Sequence, residues 1–124
     1  MITVIPAEKG ETKSLFSENN IEYNERSGCT VARDGQEILG YCLYYIDDKT
    51  MTVGALSPQD DLLLADGVLR SALHIAAVRG IADIRYTENA PNEVFCRLGF
   101  VENAAERTLD ISLLFKDCGG CGKT

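Results

Sequence analysis

The residues able to do chemistry are few, and the most compact group is Cys118-Gly119-Gly120-Cys121-Gly122. Two thiols separated by two glycines resemble one knuckle of a zinc ribbon. One knuckle supplies two ligands and a structural zinc takes four. The other pair would have to come from a second chain, so a resident zinc is not the expectation. A disulfide-forming dithiol is a second reading, and a plain tail with two exposed thiols is the third. His74 is the sole histidine. Asp66, Arg70 and His74 follow one another at helical spacing, a polar stripe with one acid-to-base pair. The stripe reads as solvent-facing, and no Ser/His/Asp arrangement accompanies it.

These residues must be positioned by a framework that centres on Met51 to Gly80. Met51 to Leu56 alternates and is rich in small and β-branched residues, as a buried strand is. Ser57-Pro58 ends it. Asp60 or Asp61 stands where a helix N-cap is wanted. Leu62, Ala65, Leu69, Ala72, Leu73 and Ala76 then fall at helical spacing, and Gly80 suits a left-handed C-terminal cap. Ile81 to Tyr86 is the next strand. Strand, helix and strand with short joints imply a parallel crossover. The helix N-terminus beside the end of the first strand is then a ready anion site.

Before this unit, Ile2 to Ile5 predicts a strand stopped by Pro6, and Glu8 to Glu18 a helix anchored by Leu15 and Phe16. Cys29 to Arg33 and Gln36 to Ile46 predict a hairpin about Asp34-Gly35. Gln36 to Ile46 is apolar on both faces, so it should be central, with Leu39, Leu43, Ile111 and Leu113 in the core. After it, Pro91 opens a short helix over Asn92 to Leu98, and Gly99 caps it. Phe100-Val101 and Arg107 to Phe115 complete the sheet. Residues 1–116 read as one domain and 117–124 as a Gly/Cys-rich tail.

The chain has 124 residues, 45% hydrophobic and 25% charged, so it suits one soluble globular domain with one core. Its net charge of −7 argues against a nucleic-acid or anionic-membrane partner. No apolar run reaches the length of a membrane span. Five cysteines, an odd number, and no visible secretory signal predict a reduced, cytoplasmic protein.

Two stretches carry a resemblance. One is the Val53 to Gly80 block; the other is Phe95-Cys96-Arg97-Leu98-Gly99-Phe100, which matches a Y-x-x-x-G-F pattern except at its first position. Together with the element order, they resemble the GNAT superfamily of acyl-CoA-dependent N-acetyltransferases. The resemblance implies an α/β fold with a mixed, mostly antiparallel sheet, a parallel central strand pair and flanking helices. It also implies that acetyl-CoA is the co-substrate and that its pantetheine lies between the two parallel strands. A bulge turns backbone N–H groups toward the thioester carbonyl, and Gly54 is the expected bulge residue. The family's phosphate loop, Q/R-x-x-G-x-G/A, falls on Leu62-Leu63-Leu64-Ala65-Asp66-Gly67, where the first residue and the first glycine have changed. Asp60, Asp61 and Asp66 place negative charge beside the expected pyrophosphate.

The family's general-acid tyrosine falls on Phe95, which has no proton to give; Tyr86, near the end of the second parallel strand, is the catalytic candidate in its place. Glu37, Tyr44 and Glu88 are conceivable bases. The resemblance places cofactor contacts at Leu56, Ala65, Asp66, Gly67, Asn89 and Phe95. The acceptor would be a small-molecule amine or a protein amine. The stretch before the hairpin has room for one helix, so the acceptor side is expected to be open or completed by a homodimer. The rival readings are a non-catalytic GNAT-fold binding domain and a thiol or metal module acting through Cys118 and Cys121.

Overall fold

A computed structural model describes residues 1–111. The expectations for Leu113, Phe115, Cys118 and Cys121 lie outside the described residues. Chain order is β1 (Ile2–Pro6), α1 (Lys9–Glu18), β2 (Ser27–Asp34), β3 (Glu37–Ile46), β4 (Thr50–Ser57), α2 (Leu62–Val78), β5 (Asp83–Tyr86), α3 (Asn92–Leu98), β6 (Val101–Asn103) and β7 (Thr108–Leu109). The strands form one sheet in the order β1-β2-β3-β4-β5-β7-β6. Among the described residues only the β4–β5 pair is parallel, and every other neighbour is antiparallel. This is the mixed α/β sheet with a parallel central pair that the sequence implied.

The turn chemistry is where the sequence placed it. Gly35, Gly80 and Gly99 all have positive φ, at the β2–β3 hairpin and behind α2 and α3. Asp61, rather than Asp60, is the α2 N-cap, accepting the Leu64 N–H at 3.2 Å.

The sheet separates two apolar layers. On one face, Ala65, Val68, Leu69, Ala72, Leu73 and Ala76 of α2 pack on Met51, Val53, Leu56, Ile84 and Tyr86, with Phe95 and Phe100 closing the end. On the other face, α1 contributes Leu15 and Phe16 to a smaller layer with Cys29, Val31, Leu43 and Ala55. The buried Thr30 beneath α2 is satisfied: its hydroxyl donates to the Val68 carbonyl at 2.8 Å.

Three expectations need correction. Leu39 is half-buried, not core, because the β2–β3 register steps from Ala32↔Gly40 to Arg33↔Ile38 and leaves Leu39 as the extra residue of a bulge, next to the exposed Glu37 and Ile38. Leu62 turns outward at 36% exposure, since it belongs to the uncovered first turn of α2. The Asp66–Arg70–His74 stripe is not uniformly solvent-facing. His74 is exposed, but Asp66 and Arg70 are half-buried, and the guanidinium lies 5.0 Å from the Phe100 ring centroid. Among the described residues no helix is long and apolar enough to cross a membrane.

Candidate functional site

The parallel pair holds for four residues, from Thr50↔Asp83 to Val53↔Tyr86. A final bond runs from the Thr87 N–H to the Val53 carbonyl at 3.0 Å. Beyond it β4 continues to Ser57, whereas the chain after Tyr86 turns away through Thr87 to Ala90. The β5-facing edge of residues 54–57 therefore has no strand partner among the described residues. At the point of parting, the β3–β4 register steps from Tyr44↔Val53 to Leu43↔Ala55, which leaves Gly54 as the extra residue of a bulge. A β-carbon there would approach Ile21 Cδ1 to 3.3 Å on the α1 side, so the bulge also fits under the linker that follows α1.

Gly40 allows the next turn. A β-carbon at this position would stand 2.7 Å from the Ser57 carbonyl oxygen and 2.8 Å from Pro58 Cδ. The β4–α2 connection can fold back over β3 only because that atom is missing.

Around the parting stand four of the residues that the sequence proposed. Leu56 and Asn89 each lie three residues past the last strand pair, on opposite sides of the opening. Leu56 is buried and Asn89 exposed. Tyr86 is buried at 3% exposure, and the Phe95 ring rests on it at 4.8 Å between centroids. The Tyr86 hydroxyl donates to Asn92 Oδ1 at the start of α3. Burial raises its pKa above the ordinary 10.0; Cys96 adds to the shift and Arg107 opposes it.

Ala65, Asp66 and Gly67 are placed differently. All three lie inside α2, where the Ala65 N–H already donates to the Asp61 carbonyl at 3.0 Å. Gly67 faces β1: a β-carbon there would stand 3.9 Å from Val4 Cγ2. The Asp66 carboxylate is gripped by Arg70 Nε at 2.9 and 2.8 Å. The N–H groups without an intrahelical acceptor are those of Leu62 and Leu63, since Asp61 occupies that of Leu64.

Two cavities flank this helix start. One, about 290 Å³, lies between Gln59 and the first turns of α3, against Asn92, Val94 and Arg97. The other, about 640 Å³, is a shallow basin over Leu39, Pro58, Asp60, Asp61 and Leu64. Gln59, Asn92 and Arg97 had no motif behind them in the sequence. The available signal for Asn92 was its place after Pro91, six residues past Tyr86. No group of acidic, histidine or cysteine side chains that could hold a metal occurs among the described residues.

The sequence matches no family model and no curated protein sequence. Solved structures do share the architecture. A ribosomal-protein-S18-alanine N-acetyltransferase from Escherichia coli superposes with a TM-score of 0.61 over 87% of this chain and 88% of its own, at 14% identity. A ribosomal-protein-alanine N-acetyltransferase from Brucella melitensis gives 0.61 over 83% and 94%, at 8% identity. A GNAT family acetyltransferase from Elizabethkingia anophelis with acetyl-CoA bound gives 0.57 over 81% and 76%, at 16% identity. The fold is that of the GNAT superfamily.

Proposed function

We propose that this protein is an acetyl-CoA-dependent N-acetyltransferase that acts on an amine. The observation that carries this reading is the β4–β5 pair, which parts directly after Val53↔Tyr86 with a bulge at Gly54 on its lip. A narrow opening edged by unpaired backbone suits a thioester chain, which needs N–H donors at the carbonyl and no charged partner along its length.

In this reading the neutral amine attacks the thioester carbonyl directly, the C–S bond breaks, and the proton that the new amide nitrogen sheds passes to solvent. The negative charge that develops on its oxygen is met by backbone N–H groups at the bulge, and the thiolate departs toward Tyr86. Tyr86 is the proposed donor to that thiolate: its single hydroxyl proton, given to Asn92 Oδ1 in the free protein, turns to the sulfur as charge develops there. Its raised pKa exceeds the roughly 8.5 of an ordinary thiol. Tyr86 therefore serves the leaving group better as a hydrogen-bond donor than by complete proton transfer. The pyrophosphate would take the free N–H groups of Leu62 and Leu63. Arg97, which pairs with Glu93 at 2.8 Å on an exposed face, is the nearest cation lining the adjoining cavity.

A second reading, a GNAT-fold domain that binds without catalysis, draws on two observations. Phe95 is fully buried with no acid in its place, and Asp60 and Asp61 stand at the expected phosphate position. Titration calorimetry with acetyl-CoA, followed by a thiol-release assay over amines and peptide N-termini, separates the two. The enzyme reading expects saturable binding and acceptor-dependent release of free CoA. Binding without release under any acceptor supports the second reading, and no binding at millimolar acetyl-CoA removes the first.

A further inference from the structure

The two edges of the sheet differ. At one, among the described residues, β6 is three residues long, exposes Glu102 and Asn103, and pairs with β7 in shifted register. Short, charged and irregular strands keep an edge from adding another. At the other edge β1 follows β2 without a register shift. Met1 to Ala7 carries no charged side chain, in a chain that is 25% charged. Val4 lies opposite Ala32 of the α2 layer, and Ile5 opposite Val31 of the α1 layer. Yet Ile2, Val4 and Ile5 are 52%, 37% and 44% exposed, so both faces of this strand leave apolar surface in water.

The backbone of β1 points to what covers it. The Ala7 N–H donates to the Cys29 carbonyl at 2.9 Å. Backbone direction alternates along an antiparallel strand, so Thr3 and Ile5 turn their groups to β2, and Ile2, Val4 and Pro6 turn theirs outward. β1 is the last strand of the sheet, so the Ile2 and Val4 N–H groups have no strand acceptor among the described residues. Pro6 brings a carbonyl and no N–H. An antiparallel copy of the same strand, related by a two-fold axis at Val4, matches this pattern. Each Val4 N–H meets the other copy's Val4 carbonyl, and each Ile2 N–H meets the other copy's Pro6 carbonyl. Every outward donor of both strands then has an acceptor, and only the Ile2 carbonyl is left to water. On the α2 face Val4 meets Val4 and Ile2 meets Pro6; on the α1 face Ile5 meets Thr3. The net charge of −7 repels a second copy, and this edge is where two copies approach with no charged side chain on either strand.

We propose that two copies of this chain pair through β1, antiparallel about a two-fold axis at Val4, so that their seven-stranded sheets run on as one. Strands β2, β3 and β4 stand between this edge and the β4–β5 opening, so each copy keeps its own opening and the pairing does not depend on the transfer reaction.

Sedimentation equilibrium of the full chain tests it, under a reductant and a chelator so that neither thiols nor metal link chains. A monomer–dimer equilibrium is expected, tightening as salt screens the net charge. Val4→Pro removes an N–H that makes no bond within the chain, and should weaken the dimer about tenfold or more, since both central hydrogen bonds are lost. Val4→Lys and Val4→Glu set like charges directly opposite across the axis, so each alone should be monomeric, and the two mixed in equal amounts should form a heterodimer. At this exposed position a long charged side chain reaches water in the monomer, and circular dichroism like the parent's checks that each variant is folded. Rescue by mixing reads the register itself, which a loss of folding could not produce. A parent that stays monomeric at submillimolar concentration overturns the proposal. So does a Val4→Pro dimer as tight as the parent's, or a mixture of Val4→Lys and Val4→Glu that stays monomeric.

Discussion

At the inner end of the β4–β5 opening, Val53, Gly54, Leu56, Tyr86 and Phe95 are all buried, and the shape is made by strand register alone: a last pair, a bulge and a parting. At the outer end, Asp60, Asp61, Leu62 and Leu63 are all exposed, and any grip on a phosphate depends on which side chains stand around two free N–H groups. A register survives wide changes of sequence because it is written in alternation and turn positions. A phosphate turn does not, because glycine and cationic positions cannot be exchanged for leucine and aspartate without changing what is bound. The fold likeness at 8–16% identity therefore speaks for the inner end and says little about the outer one.

The sharpest way to break the inner end is Phe95→Ala. Phe95 is fully buried and packed against the Tyr86 ring, so its truncation should cost about 3–5 kcal/mol, read as a lowered urea midpoint. An unchanged midpoint would mean that α3 is not part of the packed wall. The dryness of the sheet's two buried faces predicts an alkaline limit. Cys29 lies opposite Leu43 and Cys42 opposite Leu56. Burial raises Cys29 from 9.0 to about 12 and Tyr44 from 10.0 to about 12, and it lifts Cys42 further. The unfolded chain loses these protons first, so their contribution is complete below about pH 9 and disappears as pH climbs to about 12. Urea midpoints measured from pH 7.5 to 11 should fall, and the fall should be shallower in the Cys29→Ala/Cys42→Ala variant. Parallel slopes in the two proteins would place the thiols in contact with water.

Much of the inner end was legible in the sequence. Gly54 inside a β-rich run, proline after it, and the cap-to-glycine span of the helix fix strand, bulge and crossover through local rules. The short strands of the sheet edge were harder. Arg107 begins no long strand among the described residues, because Val101–Asn103 and Thr108–Leu109 pair in short, shifted register. Leu39 illustrates a different gap: simple alternation does not foresee the bulge that takes it out of the pleat. Asp66 illustrates a third: its pairing with Arg70 at helical spacing was legible, but the half-burial of that pair against Phe100, far along the chain, was not.

Tyr86→Phe sharpens the comparison from the chemical side. The substitution removes one hydroxyl and its bond to Asn92 while keeping the ring on Phe95. A hydrogen bond to a developing thiolate contributes about 1.5–3 kcal/mol, or roughly a 10- to 100-fold loss in kcat. KM for acetyl-CoA should be little changed, because the bond forms as charge develops. A structural role alone would lower the melting point and leave kcat near that of the parent once the protein is folded.

The smallest effect belongs to the outer end. Asp61 caps Leu64, and Asp60 stands beside it in the shallow basin. Both are exposed and would oppose a pyrophosphate over Leu62 and Leu63. Asparagine at both positions keeps the capping oxygen and removes two charges. Each charge near a helix terminus contributes about 0.3–1 kcal/mol, so acetyl-CoA should bind roughly three- to thirtyfold more tightly to Asp60→Asn/Asp61→Asn. The gain should shrink as salt rises, since screening already weakens exposed charges at physiological ionic strength. Asp66→Asn is the control: its carboxylate is already held by Arg70, so the same calorimetric titration should show a smaller gain. Equal gains from Asp66 and from the Asp60/Asp61 pair would mean that the phosphates lie over the second turn of α2. Weaker binding by the double variant would mean that the aspartates contact the ligand, and that the outer end recognises something other than a pyrophosphate.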